Sequence, residues 1–146
     1  MLAYLKGIVL YKGSNFVILE QSGVGYQIFL APHQLETKEP GNPAQFYVFE
    51  HVREERRELY GFASPEDLEF FFMLIEEQGI GPRMAQKIIA HAPVAEIKTA
   101  IISDNVSFLH AIPRLGGKTA SKLILELKPK LTNTKKTAGA SEDPDV

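Results

Sequence analysis

Two segments of the chain repeat the same pattern of residue types, and Ile80 of the first aligns with Leu115 of the second, 35 positions later. Each pattern predicts a helix, a tight glycine-containing turn and a second helix. Such a turn offers unpaired backbone N–H groups at the positive end of a helix dipole, which is a binding site for phosphate. The predicted phosphate-contacting residues are Gly79, Ile80, Gly81, Pro82, Arg83 and Lys87 in the first segment, and Arg114, Leu115, Gly116, Gly117, Lys118, Thr119 and Lys122 in the second.

Basic side chains follow both turns, although the chain as a whole carries a net charge of −2. Arg83 and Lys87 are four residues apart, as are Lys118 and Lys122, so each pair shares a face of its predicted helix. The sequence has no acid between positions 79 and 90 or between 113 and 125. Such contacts hold sugar and phosphate without reading bases, which predicts nucleic-acid binding that is independent of sequence and sensitive to salt.

Both features also have an ordinary interpretation. A single glycine turn between apolar helices is usually only a helical hairpin, and basic side chains on a helix are usually a solvated face. Two copies in register, each with basic residues on one face, favour the phosphate-binding interpretation.

Adjacent carboxylates, Glu54 and Glu55, lie in a charged connection between the last two predicted strands. In most proteins such a connection is only a solvated hairpin tip. Beside nucleic acid, however, the two carboxylates would repel phosphates and could separate strands. Arg53, Arg56 and Arg57 complicate this interpretation, because they could pair with the acids or hold phosphates beside them.

The elements that position these residues fall into two predicted domains, 1–63 and 64–130. Five short runs rich in β-branched and aromatic residues predict strands at 2–10, 16–20, 24–30, 45–52 and 58–62. Five closely spaced strands fit a small five-stranded β-barrel such as the OB fold.

From Ser64 onward the apolar residues recur at helical spacing. A helix is predicted to begin there, because Ser64 can cap a helix and Pro65 suits its first turn. Leu68, Phe71, Phe72 and Ile75 are expected to form its apolar stripe. Further helices are predicted at 82–91, 93–102, after Asp104, and at 117–130. Residues 131–146 contain almost no large apolar side chain and are predicted to be a flexible linker.

With these motifs in place, the chain resembles the RuvA family, whose members bind Holliday junctions in bacteria. The resemblance covers residues 1 to about 130. It rests on Gly7 and Ile8, on Gly23, Val24, Gly25 and Tyr26, on Tyr60, Gly61 and Phe62, on Gly79 to Pro82, and on Leu115, Gly116, Lys118, Thr119 and Ala120.

The resemblance implies an OB-fold barrel followed by an all-α tandem helix-hairpin-helix domain. It further implies a homotetramer, or an octamer of two tetramers, that holds an open four-way junction and works with a RuvB-type hexameric ATP-driven motor. Glu54 and Glu55 match the family's acidic pin at the centre of the junction. Arg83, Lys87, Lys118 and Lys122 match its contacts to the minor-groove backbone. No catalysis, cofactor or metal is implied.

Two departures from the family pattern matter. Arg114 stands where the second hairpin normally has its first glycine, so either that turn tolerates a side chain or Gly117 supplies part of the flexibility. The family also has a third domain that engages the motor, whereas this sequence stops within what looks like the preceding linker. The expectation is junction binding with a weak or absent motor contact.

Two other functions remain open at this stage. A helix-hairpin-helix repair enzyme would need a catalytic pocket or a carboxylate cluster for metal, and Asp104, Glu76 and Glu77 offer neither. The four histidines are scattered without metal spacing and are interpreted as surface or core residues, and there is no P-loop. The second alternative is a general architectural binder of duplex or single-stranded DNA.

The composition and the first residues exclude further kinds of site and indicate a location. The absence of cysteine excludes disulfides, thiolate zinc sites and cysteine nucleophiles. The opening residues show neither a signal peptide nor a membrane-length apolar run, so a cytoplasmic location without membrane contact is expected.

Overall fold

A closed barrel of five strands forms the first part of the molecule. The computed structural model describes residues 1–140, and the side chains of residues 1–133. Its strands are β1 (Tyr4–Lys12), β2 (Phe16–Gln21), β3 (Val24–Phe29), β4 (Pro43–Arg53) and β5 (Arg56–Phe62). They are hydrogen-bonded in the order β1-β2-β3-β5-β4, and β1 also pairs with β4 to close the ring. The predicted five-stranded OB-fold barrel is confirmed.

Alternation of buried and exposed side chains builds the barrel core. Leu5 and Val9 of β1, Leu19 of β2 and Val48 of β4 are each at most 2% exposed, while Lys6 and Ile8 on the other face of β1 are exposed. Burying one such side chain stabilises the fold by about 1.5–3 kcal/mol. β1 bends at an irregularity between Val9 and Tyr11, which helps one strand to pair along both its sides.

A short helix, α1 (Pro32–Leu35), lies between β3 and β4, where the sequence predicted no element. Pro32 occupies its first turn, and the main-chain N–H groups of Gln34 and Leu35 both donate to the carbonyl of Ala31 at 3.0 Å. Leu35 packs against the barrel core. The helix therefore packs on the barrel through Leu35. With four residues it is too short to show as a periodic pattern in the sequence.

The first long helix, α2 (Pro65–Ile75), begins where predicted. The main-chain N–H of Asp67 donates to Ser64 Oγ at 3.2 Å, which is the capping bond expected from Ser64. Its fully buried residues are Phe70, Phe71 and Leu74. Of the predicted stripe, Phe71 is fully buried and Leu68, Phe72 and Ile75 are partly buried, whereas Phe70 and Leu74 were not predicted as part of it.

Aromatic packing explains where the first compact unit ends. The ring of Phe71 lies 4.7 Å from that of Phe62, 5.3 Å from Phe49 and 5.7 Å from Tyr60, measured between centroids. The chain accordingly divides into compact units at Phe72 and Met73, within α2, whereas the sequence marked the change of period at Ser64. The first turns of α2 belong with the barrel.

The second unit is helical. Its helices are α3 (Pro82–His91), α4 (Val94–Ile102), α5 (Val106–His110) and α6 (Gly117–Ala140). The core between them is apolar, and Ile88, Ile97, Ile101, Leu109 and Leu127 are each fully buried. Within the described residues no helix has the combination of length and apolar character needed to cross a membrane.

α6 extends ten residues past the end predicted for it at about Lys130. Leu131 is only 6% exposed, so the hydrophobic core continues into the predicted linker. Lys130 Nζ donates to Glu77 Oε1 at 3.0 Å, and Thr132 Oγ1 donates to the Lys128 carbonyl at 2.8 Å. Residues 131–140 are therefore helical rather than a linker, and the remainder of that prediction, 141–146, lies outside the described residues.

Candidate nucleic-acid interface

The two predicted hairpins have the same main-chain hydrogen bonds, one set 35 residues after the other. The N–H of Ile80 donates to the Glu77 carbonyl at 3.1 Å, and the N–H of Leu115 donates to the Ile112 carbonyl at 3.2 Å. One turn later, Ala85 N–H reaches the Gly81 carbonyl and Ala120 N–H reaches the Gly116 carbonyl, both at 2.9 Å. The repeat in the sequence is therefore a repeat in backbone structure.

Buried anchors hold both hairpins in place. Ile80 is 5% exposed and Leu115 is 4% exposed, while the glycines beside them, Gly79 and Gly116, lie at the surface. Ala85 and Ala120 are fully buried in the first turns of the helices that follow. Each turn thus presents main chain outward and fixes it with an apolar side chain from behind.

A left-handed residue makes each turn. Gly79 has φ +90°, and Arg114, at the matching position of the second hairpin, has φ +67°. Gly116 and Gly117 are not among the glycines with positive φ. Of the two alternatives left open for Arg114, the turn tolerating a side chain is the one found. An L-residue in this conformation costs about 1–2 kcal/mol.

The helix starts beside the two turns differ from that of α2. The capping residue of α3, Gly81, makes no side-chain cap bond, and the first turns of α3 and α6 contain no acid. By contrast α2 has Glu66 and Asp67 in its first turn and the Ser64 cap. The first turns of α3 and α6 therefore supply no acid of their own to their helix dipoles, which favours an anionic ligand there.

The cations predicted from the sequence lie at the surface. Arg83, Lys87, Arg114, Lys118 and Lys122 are all exposed. The acid nearest in sequence to the first turn, Glu77, is in an ion pair with Lys130, and the hydrogen bond and charge of Glu77 raise the pKa of Lys130 above its ordinary value. That acid is therefore partly neutralised within the protein.

A narrow crevice shows that the two motifs share one surface. Its walls come from Glu77, Gln78 and Ile80 on the first hairpin and from Thr119, Lys122 and Leu123 on the first turns of α6. The first hairpin and the start of α6 therefore lie next to each other. Of the predicted residues, the structure places Ile80, Thr119 and Lys122 around this crevice, and the contact of the predicted residues with DNA stays a prediction.

The acidic tip belongs to the barrel unit. The ladder between β4 and β5 runs to Arg53 opposite Arg56, so Glu54 and Glu55 alone form the turn. Glu54 has φ +46°, and both carboxylates are exposed, as are the two arginines. The tip therefore presents two adjacent negative charges held at the end of a paired ribbon.

His110 lies beside the second hairpin, where the sequence predicted no site residue. It is exposed and lies against Gly117, the first residue of α6, whereas the sequence suggested only a surface or core histidine. Its counterpart 35 residues earlier is Ile75, and that change from apolar to polar within the repeat was the available signal. Among the described residues, no group of three His, Asp or Glu side chains is arranged to hold a metal ion.

Barrel and hairpins together define a class of protein: an OB-fold module joined to a tandem helix-hairpin-helix module that exposes main-chain amides and cations. Family comparison agrees. A model described as the RuvA N terminal domain matches residues 1–61, and one described as a SAM-like helix-hairpin-helix tandem matches residues 71–129.

Curated relatives are named Holliday junction branch migration complex subunit RuvA. That of Halothermothrix orenii is 42% identical over 99% of this chain and 72% of its own length. That of Protochlamydia amoebophila is 39% identical over 90% of this chain and 66% of its own. That of Geobacter metallireducens is 34% identical over all of this chain and 77% of its own. The chain belongs to the RuvA family, and it spans about two thirds to three quarters of the length of these relatives.

Proposed function

We propose that this chain binds four-way (Holliday) junction DNA through its phosphate backbone, as the non-catalytic subunit of a branch-migration complex in recombination and repair. One observation carries the proposal: two hairpins with matched hydrogen bonds expose glycine main chain and five cations on one helical unit. Phosphate contacts of this kind bind DNA without reading its sequence. The names of the relatives supply the particular DNA structure.

The acidic tip gives a reason for junction preference. We assign Glu54 and Glu55 as the pin that keeps duplex DNA from lying across the barrel, since adjacent carboxylates repel phosphates. The exposed arginines on either side would hold backbone that has been turned away from the pin. On this proposal the hairpins supply affinity and the tip supplies selectivity.

Assembly follows the family expectation. We propose a homotetramer, or an octamer of two tetramers, in the cytoplasm, and we expect a RuvB-type hexameric motor as the partner of the full-length family member. Exposed apolar side chains on β1 support self-association: Ile8 is 40%, Tyr11 55% and Leu10 56% exposed. Scattered apolar residues are normal on a surface, but several on one strand indicate a contact area.

A competition gel shift tests the proposal. The chain is bound to a labelled four-way junction and challenged with unlabelled junction or with linear duplex of the same arm sequences, at two salt concentrations. Junction should compete much better than duplex, and binding should weaken steeply with salt because counterions are released on binding. Equal competition by the two DNAs would favour the general architectural binder instead.

The pin assignment has its own test. Replacing Glu54 and Glu55 with glutamine should leave junction affinity unchanged or increase it, and should reduce the preference for junction over duplex. The matched control is Glu36→Gln with Glu39→Gln, which removes two exposed barrel carboxylates away from the tip. A large loss of junction binding in the tip variant alone would contradict the assignment.

A further inference from the structure

The last rung of the ribbon formed by β4 and β5 places two arginines directly opposite each other. Arg53 and Arg56 are register partners, and the side chains of directly opposed residues lie on the same face of an antiparallel pair. The rung before it, Val52 opposite Arg57, faces the other way, because successive side chains along a strand alternate. Of the three arginines beside the acidic tip, two therefore share a face and the third does not.

The acids of the tip do not neutralise this arginine pair. Within the described part of the chain, no ion pair joins Arg53 or Arg56 to a carboxylate, although Glu54 and Glu55 are their neighbours in sequence. The sequence alone was consistent with arginines that pair with these acids or with arginines that hold phosphates. For Arg53 and Arg56 the structure removes the first of these two alternatives.

The next rung on the same face, His51 opposite Glu58, does not neutralise the pair either. Glu58 Oε1 accepts a hydrogen bond from Tyr60 Oη at 3.3 Å and lies 3.7 Å from His51 Nδ1. His51 is level with Glu58 on the ribbon, and Tyr60 is two residues further from the tip. The Glu58 carboxylate is therefore engaged on its own rung and toward the barrel, away from the two guanidinium groups.

Like charges directly opposite each other destabilise a strand pair, and an anion bound between them removes the repulsion. A guanidinium binds phosphate through two parallel N–H donors, and the non-bridging oxygens of one phosphodiester can accept from two such groups. Both arginines are exposed, so a DNA backbone can reach them. We propose that Arg53 and Arg56 together bind one backbone phosphate on a single face of the ribbon. This inference rests on the function proposed above, and it fixes the displaced strand at one phosphate beside the pin.

A double-mutant cycle on junction affinity tests whether the phosphate is shared. Fluorescence anisotropy with a labelled four-way junction, at about 0.1 M salt, compares the unchanged chain with Arg53→Gln, Arg56→Gln and the double variant. Loss of one phosphate contact weakens binding about eightfold at this salt concentration, and loss of two weakens it about 60-fold. For one chain's contacts the double variant should lose about eightfold. Each single variant should already show most of that loss, because one arginine alone does not fix the phosphate.

Arg57→Gln is the matched control, because it removes the same charge from the same ribbon on the other face. It should weaken junction binding by about twofold or less, since its charge acts only through screened solvent. A loss as large as that of Arg53→Gln would show that the face does not matter and would overturn the proposal. A double-variant loss equal to the product of the two single losses would show separate phosphates and would also overturn it.

Unfolding without DNA tests the repulsion separately. Thermal unfolding of the same chains is followed at about 0.01 M salt, where surface charges are least screened, and again at about 1 M. At low salt the double variant should unfold at a lower temperature than the sum of the two single shifts predicts, because either substitution already relieves the same repulsion. At high salt the shifts should add. Additive shifts at low salt would mean that the two charges do not interact, which contradicts the proposal.

The two measurements distinguish this inference from the proposed function. A chain that prefers junction to duplex but shows no coupling between Arg53 and Arg56 keeps the proposed function and loses the shared phosphate site. A chain that shows the low-salt coupling but binds junction no better than duplex loses the proposed function, and the phosphate assignment fails with it.

Discussion

The first and second hairpins share a backbone and differ in the residues that make it. Gly79 and Arg114 have nearly the same left-handed conformation, although one has no side chain and the other has a long charged one. The hydrogen bonds at 3.1 and 3.2 Å and the buried Ile80 and Leu115 are common to both. The anchors and main-chain bonds therefore determine the turn, and the turn residue is free to contribute chemistry instead.

Of the substitutions that compare the two hairpins, removal of a buried anchor should have the largest effect. Leu115→Ala should lower the free energy of unfolding by about 3 kcal/mol, because it leaves a cavity behind the second turn, and Ile80→Ala should cost a similar amount behind the first. Urea denaturation measures both. Leu125→Ala is the control on the same helix as the second hairpin, since Leu125 is 72% exposed, and it should cost less than about 0.5 kcal/mol. An equal cost at Leu125 would show that the anchors have no special role.

Neutralising the cations beside one hairpin should come next in size. Lys118→Gln with Lys122→Gln should weaken junction binding by up to about 60-fold at 0.1 M salt for one subunit's contacts, and should make the salt dependence shallower by about two phosphates. Arg83→Gln with Lys87→Gln should do the same at the first hairpin. Anisotropy titrations at several salt concentrations measure the slope. Lys128→Gln, which removes a lysine already paired with Asp104, should change affinity less than about twofold.

Exchanging the turn residues should separate stability from binding. Arg114→Gly should raise the free energy of unfolding by about 0.5–1 kcal/mol by removing left-handed strain, and should weaken junction binding by about fivefold. Gly79→Arg should do the reverse, because a Cβ at Gly79 meets no atom within 4 Å. Urea denaturation and junction titration of both variants make the test. If Arg114→Gly and Gly79→Arg changed the free energy of unfolding in the same direction, or changed junction affinity in the same direction, the two turns would not be equivalent.

The smallest expected effect concerns the ion pair that Glu77 makes beside the first hairpin. Glu77 holds Lys130, whereas the matching residue of the second hairpin is the apolar Ile112. Since the pKa of Lys130 is raised in the fold, the stabilisation is fully present below the ordinary lysine pKa of about 10.4 and is lost as pH rises through the raised value. Urea unfolding at pH 9 and above pH 11 should show a slightly larger alkaline loss for the unchanged chain than for Lys130→Gln. Equal losses would mean that the pair adds nothing.

Local signals predicted much of this molecule. The strands, the Ser64 cap and the repeated hairpins were predictable because each depends on residues close in sequence. The burial of Phe71 against Phe49, Tyr60 and Phe62 was harder, since it depends on a barrel formed by distant residues. The division of the chain within α2 follows from that packing, and no pattern in the neighbouring sequence indicates it.

Long-range contacts also account for the other differences. α6 continues past Lys130 because Leu131 is buried and Glu77, over fifty residues earlier, holds Lys130. Likewise the position of His110 depends on the space above Gly117, which becomes visible only when α5 and α6 are placed together. The conformation of Arg114 could be narrowed to two alternatives from the sequence, and the backbone angles decide between them.

The ribbon formed by β4 and β5 has a mechanical consequence. Hydrogen-bonded pairing continues to Arg53 and Arg56, so only two residues lie beyond the last rung and no slack loop separates the acidic tip from the barrel. Force applied to the carboxylates of Glu54 and Glu55 is therefore transmitted along both strands to the barrel. Lengthening the turn by a few glycines would make the tip flexible while leaving its charge unchanged.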